Sequence, residues 1–381
     1  MQPAIKRVKY TQKPPIFFSE LRNRINKYFE DNSLSRYADN RMHIKTISLI
    51  LIWLSLYGLI ISNLFKSFDL ILIQAGFHWM SFVVWNGIAH DAHHQAYTKN
   101  KIANRLLLFT GDLVGVSSYV MDFNHVKSHH SAVNIPVHDV AIDDYGIFRF
   151  HPHRMLKWYH KWQHIYINVF YMIPTLFKLL IFDYFSLSRK YIGSVKIKKH
   201  RIKDVLYLTI IKLGVIYATL ILPLQILDAP RWIIITGFLT GHFVAGFTLS
   251  LIFQITHLCD YSNFSDVDLE NGNLENSFAQ HVIENTSSFA TDNLLLTYFS
   301  GGLNHHTIHH LFPEICQIHF PALTKILRAT SEEYGIPFKI YPTFWSAIQS
   351  HYSLLKKLGS EKNYRPRPFS EWKLSYSYLN N

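Results

Sequence analysis

Cysteine is almost missing: Cys259 and Cys316 are the only two in 381 residues. No disulfide framework is indicated, and a metal site built on thiolates is not expected. Charge is sparse at 17% of residues, and bases outnumber acids 38 to 26, for a net charge of +12. No long basic run interleaved with aromatics accompanies that excess, so no nucleic-acid partner is expected. A basic cytosolic face accounts for the charge more simply. Internal repeats and low-complexity segments are also missing. The first apolar stretch starts only after about 45 residues of mixed, basic sequence, too late for a cleaved leader.

What the chain does have is hydrocarbon: 49% of its residues are hydrophobic and 15% aromatic. The mean hydropathy of +0.05 suits a few spanning helices carrying a large polar cap. Four segments have the length and apolarity of spans, Thr46–Leu64, Leu70–Ala89, Val205–Leu224 and Ile233–Thr256. The linkers, residues 65–69 and 225–231, are too short to hold a domain, so each pair reads as a helical hairpin. The fold class is therefore all-α integral membrane: four transmembrane helices in two hairpins with a histidine-rich catalytic cap. Ten Lys or Arg precede residue 46, while each linker carries one, which places the N-terminus and the cap in the cytosol. The expected divisions are an N-terminal segment 1–45, a membrane domain 46–359 and a tail 360–381. Lys101–Met121, broken by Gly111, Asp112 and Gly115, reads as re-entrant or interfacial. Met155–Ser186 reads as a helix in the headgroup layer. Gly237 and Gly241 form a small-xxx-small pattern for close helix packing, and Lys212 must snorkel or pair within the bundle.

Three histidine clusters sit beside these spans: His90-Asp91-Ala92-His93-His94, His125 to His130, and His306-Thr307-Ile308-His309-His310. Counting crossings puts all three on one face. His90/His94 and His125/His129 have i,i+4 spacing, and His306/His309 the i,i+3 version, so each pair shares a helical face. The doublets His129-His130 and His309-His310 point imidazoles to different sides, as ligands serving two metals would. With His90, His94, His125 and His306 they make eight, too many for one ion. No box contains the glutamate of a His-Glu-x-x-His zinc hydrolase. Imidazoles alone suit iron, copper or zinc; redox iron is preferred because lipid tails offer mainly unactivated C–H bonds.

His257, at the cytosolic end of the fourth span, is the expected ninth ligand, with His281 its rival. His78 and His242 are expected to pack or hydrogen-bond inside the bundle, and His160 and His164 to face solvent or headgroups. His93 and His305 should stand behind the ligands. Asp91, Asn134, Asp139 and Asn304 could orient imidazoles, or could be ordinary helix caps and turns.

From about Thr46 to Gly359 the chain resembles the membrane fatty acid desaturases, a three-histidine-box, di-iron family. The most specific stretch is Gly301-Gly302-Leu303-Asn304 followed by His309-His310-Leu311-Phe312-Pro313, similar to the third box of the front-end acyl desaturases. Residues 159–166 and 334–337 are similar to bacterial members of that group. His306 stands where the group usually has glutamine. The resemblance implies two irons, O2 as co-substrate, and removal of two hydrogens from an acyl chain on a lipid or coenzyme A, in a narrow apolar tunnel. It implies no catalytic side chain beyond the metal ligands, and it implies membrane lipids as surroundings, those of a bacterial inner membrane. The His-Pro-Gly-Gly motif of a fused heme domain is not in the sequence. A separate ferredoxin or cytochrome b5-like donor is implied. A hydroxylase on the same scaffold and a histidine-rich metal transporter remain alternatives.

Overall fold

Asp39 starts the first span: its carboxylate accepts the backbone N–H groups of Arg41 and Met42, so the helix begins six residues ahead of the apolar run. The computed structural model describes residues 6–11, 16–143, 146–197, 199–265, 267 and 271–365. Its helices, in chain order, are α1 (Ile16–Asp31), α2 (Asn40–Ile61), α3 (Phe68–His93), α4 (Lys101–Leu113) and α5 (Ser118–His129). There follow α6 (Trp158–Met172), α7 (Pro174–Ser188), α8 (Ile202–Ile226) and α9 (Arg231–His257). The C-terminal third adds α10 (Phe278–Asn285), α11 (Leu294–Ser300), α12 (His306–Leu311), α13 (Phe320–Glu333) and α14 (Phe344–Ser360). Strands are limited to three two-residue pairings, 9–10 with 273–274, 191–192 with 195–196, and 288–289 with 340–341.

α2, α3, α8 and α9 are long and apolar enough to cross a membrane, matching the four expected spans. Only 22% and 17% of the apolar stretches of α2 and α8 are buried, against 50% and 44% for α3 and α9. The first two therefore face lipid and the last two form the inner pair. The expected glycine pattern makes that pairing possible. A Cβ on Gly237 would lie 2.1 Å from Gln74 Oε1, and one on Gly241 would lie 2.4 Å from His78 Cδ2. At the far end the two hairpin tips meet, Asn63 Nδ2 donating to Asp228 Oδ2 at 2.8 Å and Lys66 Nζ pairing with the same oxygen at 2.9 Å.

The interrupted segment is a broken helix: α4 and α5 meet at 108°, the turn made by Gly115 at φ +88°. The aromatic stretch breaks too, by 52° between α6 and α7, where Pro174 cannot continue the backbone hydrogen bonding. Trp158 and Trp162 at its start are exposed. Lys212 is paired: its Nζ lies 2.8 Å from Asp183 Oδ2 and donates to Lys178 O at 2.8 Å, while Lys178 Nζ donates to Asp183 Oδ1 at 2.6 Å, all within the bundle. The His160 expectation is corrected. The ring is buried, its Nδ1 accepting from Lys157 N, because Gly359 of α14 packs on its backbone carbonyl. His164 is half-buried.

On the side opposite the hairpin tips, α1 lays Phe17, Phe18, Leu21, Ile25 and Phe29 against Leu311, Phe312, Phe320, Leu323 and Leu327. Arg24 ties α1 to Glu333 of α13. The N-terminal segment thus folds onto the cap. Of the expected tail, residues 366–381 lie outside the described residues.

Candidate metal centre

Four pieces of chain deliver the histidines. α3 and α9 run the same way and end at His93 and His257, so their last turns emerge together. Near each of the first two boxes the helix widens to i→i+5 hydrogen bonding: His90 N donates to Trp85 O, and His130 N to His125 O at 3.0 Å. The wide turn changes which residues are neighbours. His125 meets His130, not His129, with Nε2 atoms 3.2 Å apart. The third box rides on α12 behind a double-glycine turn. Gly301 and Gly302 have φ of +68° and +75°, and a Cβ on Gly301 would lie 2.5 Å from the Asn86 carbonyl. The Gly-Gly signal in the sequence therefore reports a close approach to the wide turn of α3.

Nine imidazoles converge. His90, His94, His125 and His309 form one group, and His129, His257, His306 and His310 a second. His130 joins His309 and His310 in an overlapping third, and donor atoms within each group lie within 4.8 Å of one another. Nε2 of His125 has three Nε2 neighbours, those of His90 at 2.9 Å and of His94 and His130 at 3.2 Å. In the second group His306 Nε2 is 2.7 Å from His257 and 3.0 Å from His310.

These contacts cannot all be hydrogen bonds, since one ring nitrogen offers either a proton or a lone pair. Two imidazole nitrogens bound at right angles to one metal, at about 2.0–2.1 Å, stand roughly 2.9 Å apart. The observed spacings fit that geometry. His129 Nε2, buried within the second group, has no hydrogen-bond partner, as a ligand atom should not. Burial first, then neighbouring imidazoles, holds His94, His130, His306, His309 and His310 well below the ordinary histidine range. They are neutral, with lone pairs free for a metal.

Among the residues expected to orient ligands, Asp139 touches one: His129 Nδ1 donates to its two oxygens at 3.0 and 3.1 Å. Asn134 holds the backbone carbonyl of His257, with Nδ2 at 2.7 Å. Asp91 binds Gln317, and Asn304 binds Thr297 and Ala290, so neither reaches an imidazole. His281 is turned away, Nε2 donating to Val133 O at 2.7 Å. His305 spans Thr324 and Thr297, and His93 lies outside all three groups. His78 and His242 pack against each other inside the bundle at 4.3 Å between ring centroids.

Sequence reasoning missed Phe253. Its ring lies 5.0–6.0 Å from those of His129, His257 and His306, covering the second group. Its signal was available, because Phe253 is four residues before His257 on one helix. Beside the histidines lie two small adjoining cavities, each far short of the expected acyl tunnel. The first, about 10 Å3, is lined by Trp85, His90, Leu108, Val116 and His125. The second, about 40 Å3, shares Trp85 and Val116 and reaches His78, Thr175 and Leu249.

The family profile described as fatty acid desaturase matches residues 68–342. The "sn-1 linoleoyl-lipid 6-desaturase" of Synechocystis sp. is 31% identical over 365 residues, covering 93% of this chain and 98% of that protein. The enzyme of the same name from Arthrospira platensis is 31% identical over 349 residues, covering 90% of this chain and 92% of its own. An "Acyl-lipid (8-3)-desaturase" of Physcomitrium patens is 28% identical, with 90% of this chain and 72% of the relative aligned. A match over that much of the chain, on a membrane fold whose histidines meet at one end, makes this a member of the fatty acid desaturase family, an oxidoreductase acting on acyl chains.

Proposed function

We propose that the chain holds two irons and desaturates the acyl chains of membrane lipids using O2. The convergence of nine buried Nε2 atoms from four remote pieces of chain carries this reading. His90, His94, His125 and His309 would hold one ion and His129, His257, His306 and His310 the other, with His130 between them. When bound, the irons supply O2 activation: with two electrons and two protons, two hydrogens leave the acyl chain and two waters form.

The protein's own contribution is positional. Asp139 fixes the His129 tautomer by accepting from Nδ1. Phe253, and Phe320 at 6.0 Å from the His309 ring, shield the centre from water. The two cavities beside His90 and His125 lie between α3, α4 and α9, and an acyl chain reaching the centre by that route would have to widen them. The relatives' names support an acyl-lipid substrate and a bond placed near its carboxyl end. A separate ferredoxin or cytochrome b5-like protein would supply the electrons. The basic flanks support a cytosolic centre, in a bacterial inner membrane.

The test is expression in a host of defined lipid composition, with double-bond mapping and iron analysis of the purified chain. New unsaturation with about two irons per chain is expected. A product heavier by one oxygen, or a chain with full activity and no iron, would overturn the reading.

A further inference from the structure

A cavity of about 490 Å3 opens beside the first turns of α2, lined by Tyr28, Arg41, Lys45, Tyr298, Gln317 and Lys325 among others. It is separate from the two cavities under the histidines. Three of its wall residues are cationic and none is acidic. Lys45 is the informative one. It is 5% exposed, and among the described residues its ammonium has a single hydrogen-bond acceptor, Gln317 Oε1 at 2.7 Å, with the Tyr298 ring 5.0 Å away. Asp91, on the far side of Gln317, has its two oxygens occupied by Gln317 N and Nε2 at 3.0 and 2.9 Å. Arg41 spends Nε and Nη2 on Asp39, and Lys325 makes no ion pair among the described residues. A buried cation with unused donors at the wall of a roomy cavity calls for an anion inside it.

The surroundings say what kind of anion. Leu294, Ile318, Pro321 and Ala322 complete the wall. On the same helix as Arg41 and Lys45, Ile44, Ile47 and Leu51 are 68%, 59% and 58% exposed on the lipid-facing side. Leu294 and Leu295 of α11, at the rim, are each 73% exposed. A molecule seated here would put its charge among Arg41, Lys45 and Lys325 and its hydrocarbon against α2. That is the form of an anionic lipid, and the volume suits a head group.

We propose that this cavity binds the phosphodiester head group of an anionic glycerophospholipid and so favours such lipids as substrates. The substrate preference rests on the acyl-lipid activity proposed above. Gln317 links the site to the metal centre, because its side chain joins Lys45 to Asp91, the neighbour of His90. Head-group seating and the placing of the first histidine box are therefore mechanically connected.

The test uses full-length protein in a neutral maltoside detergent, offered equal amounts of phosphatidylglycerol and monogalactosyldiacylglycerol carrying identical acyl chains. Bound lipid is counted by native mass spectrometry. Phosphatidylglycerol should be retained about tenfold over the neutral lipid. The preference should fall at least about fivefold in Arg41→Gln/Lys325→Gln, whose two side chains are solvent-exposed and can change without unfolding the chain. Lys45→Met should lose it as well, and Lys45→Arg should keep it. Equal retention of both lipids, or a double variant with undiminished preference, overturns the site. Displacement of the lipid by micromolar coenzyme A or millimolar inorganic phosphate assigns the anion to those sources and overturns the lipid assignment. An acidic electron-donor protein that competes with the lipid for Arg41 and Lys325 would do the same. Unsaturated products formed without head-group preference would sink this inference and leave the proposed activity standing. Retained phosphatidylglycerol with no unsaturated product would do the reverse.

Discussion

At the scale of single residues, the nine imidazoles differ in how many neighbours depend on them. His309 belongs to two of the three groups, and His129 to one. His129→Ala and His309→Ala should each abolish new double bonds in the host's lipids, read by gas chromatography, while both proteins still insert in the membrane. His309→Ala should lose the larger share of iron. Unchanged unsaturation in either variant would remove that residue from the centre. Asp139 acts one step back. Asp139→Asn keeps an acceptor oxygen but loses the charge that holds the His129 Nδ1 proton, so metal should bind about 10- to 100-fold more weakly. Titration of the metal-free protein with ferrous ion under anaerobic conditions checks it.

The convergence of the boxes was legible from their helical spacing, but of the expected pairs only His90/His94 shares a group; His125/His129 and His306/His309 are divided between the two. His257 belongs to no box and was found only by its level at the end of a span. Asp139 was one of four candidates, and nothing local separated it from Asn304, which holds Thr297 of α11 and the Ala290 carbonyl instead of an imidazole. His160 was misread because its burial depends on α14, nearly two hundred residues later.

At the scale of elements, hydropathy located the four spans to within a few residues, since lipid leaves a helix little choice. It could not show the wide turns at Trp85–Ala89 and Asp122–His129. Those rest on packing: the turn of α3 accommodates Gly301, and no sequence period announces it. The spacing rule therefore picked out residues of the second box that do converge but gave them other neighbours, since His125 pairs with His130. Helix pairing was more legible. Gly237 sits where a Cβ would be 2.1 Å from Gln74 Oε1, so Gly237→Leu should force α3 and α9 apart. A cost of about 1–3 kcal/mol is expected from such overpacking, seen as a lower melting temperature in detergent. Gly58, with no atom within 4 Å of its Cβ position, is the control: Gly58→Leu should melt like the parent.

For the whole molecule, the arrangement separates two ends. The hairpin tips touch through Asn63, Lys66 and Asp228, while the histidine groups form where α3 and α9 finish. That contact is an exposed ion pair that solvent screens, so it marks the topology more than it secures it. What holds the histidine end together is the cap, with α1 and α13 sharing one apolar core and α14 laid on α6. An even number of spans returns the chain to its starting side, and the ten bases before residue 46 would then put that side in the cytosol, as proposed above. The consequence can be measured on intact cells. Lys66 at a tip and Lys356 on α14 are both exposed and lie at opposite ends. In a background with Cys259 and Cys316, both buried, left in place, Lys66→Cys should react with a membrane-impermeant maleimide added outside. Lys356→Cys should react only once the membrane is opened. The reverse pattern would put the histidines outside, away from any cytosolic electron donor, and labelling of both from one side would mean the four helices do not all cross.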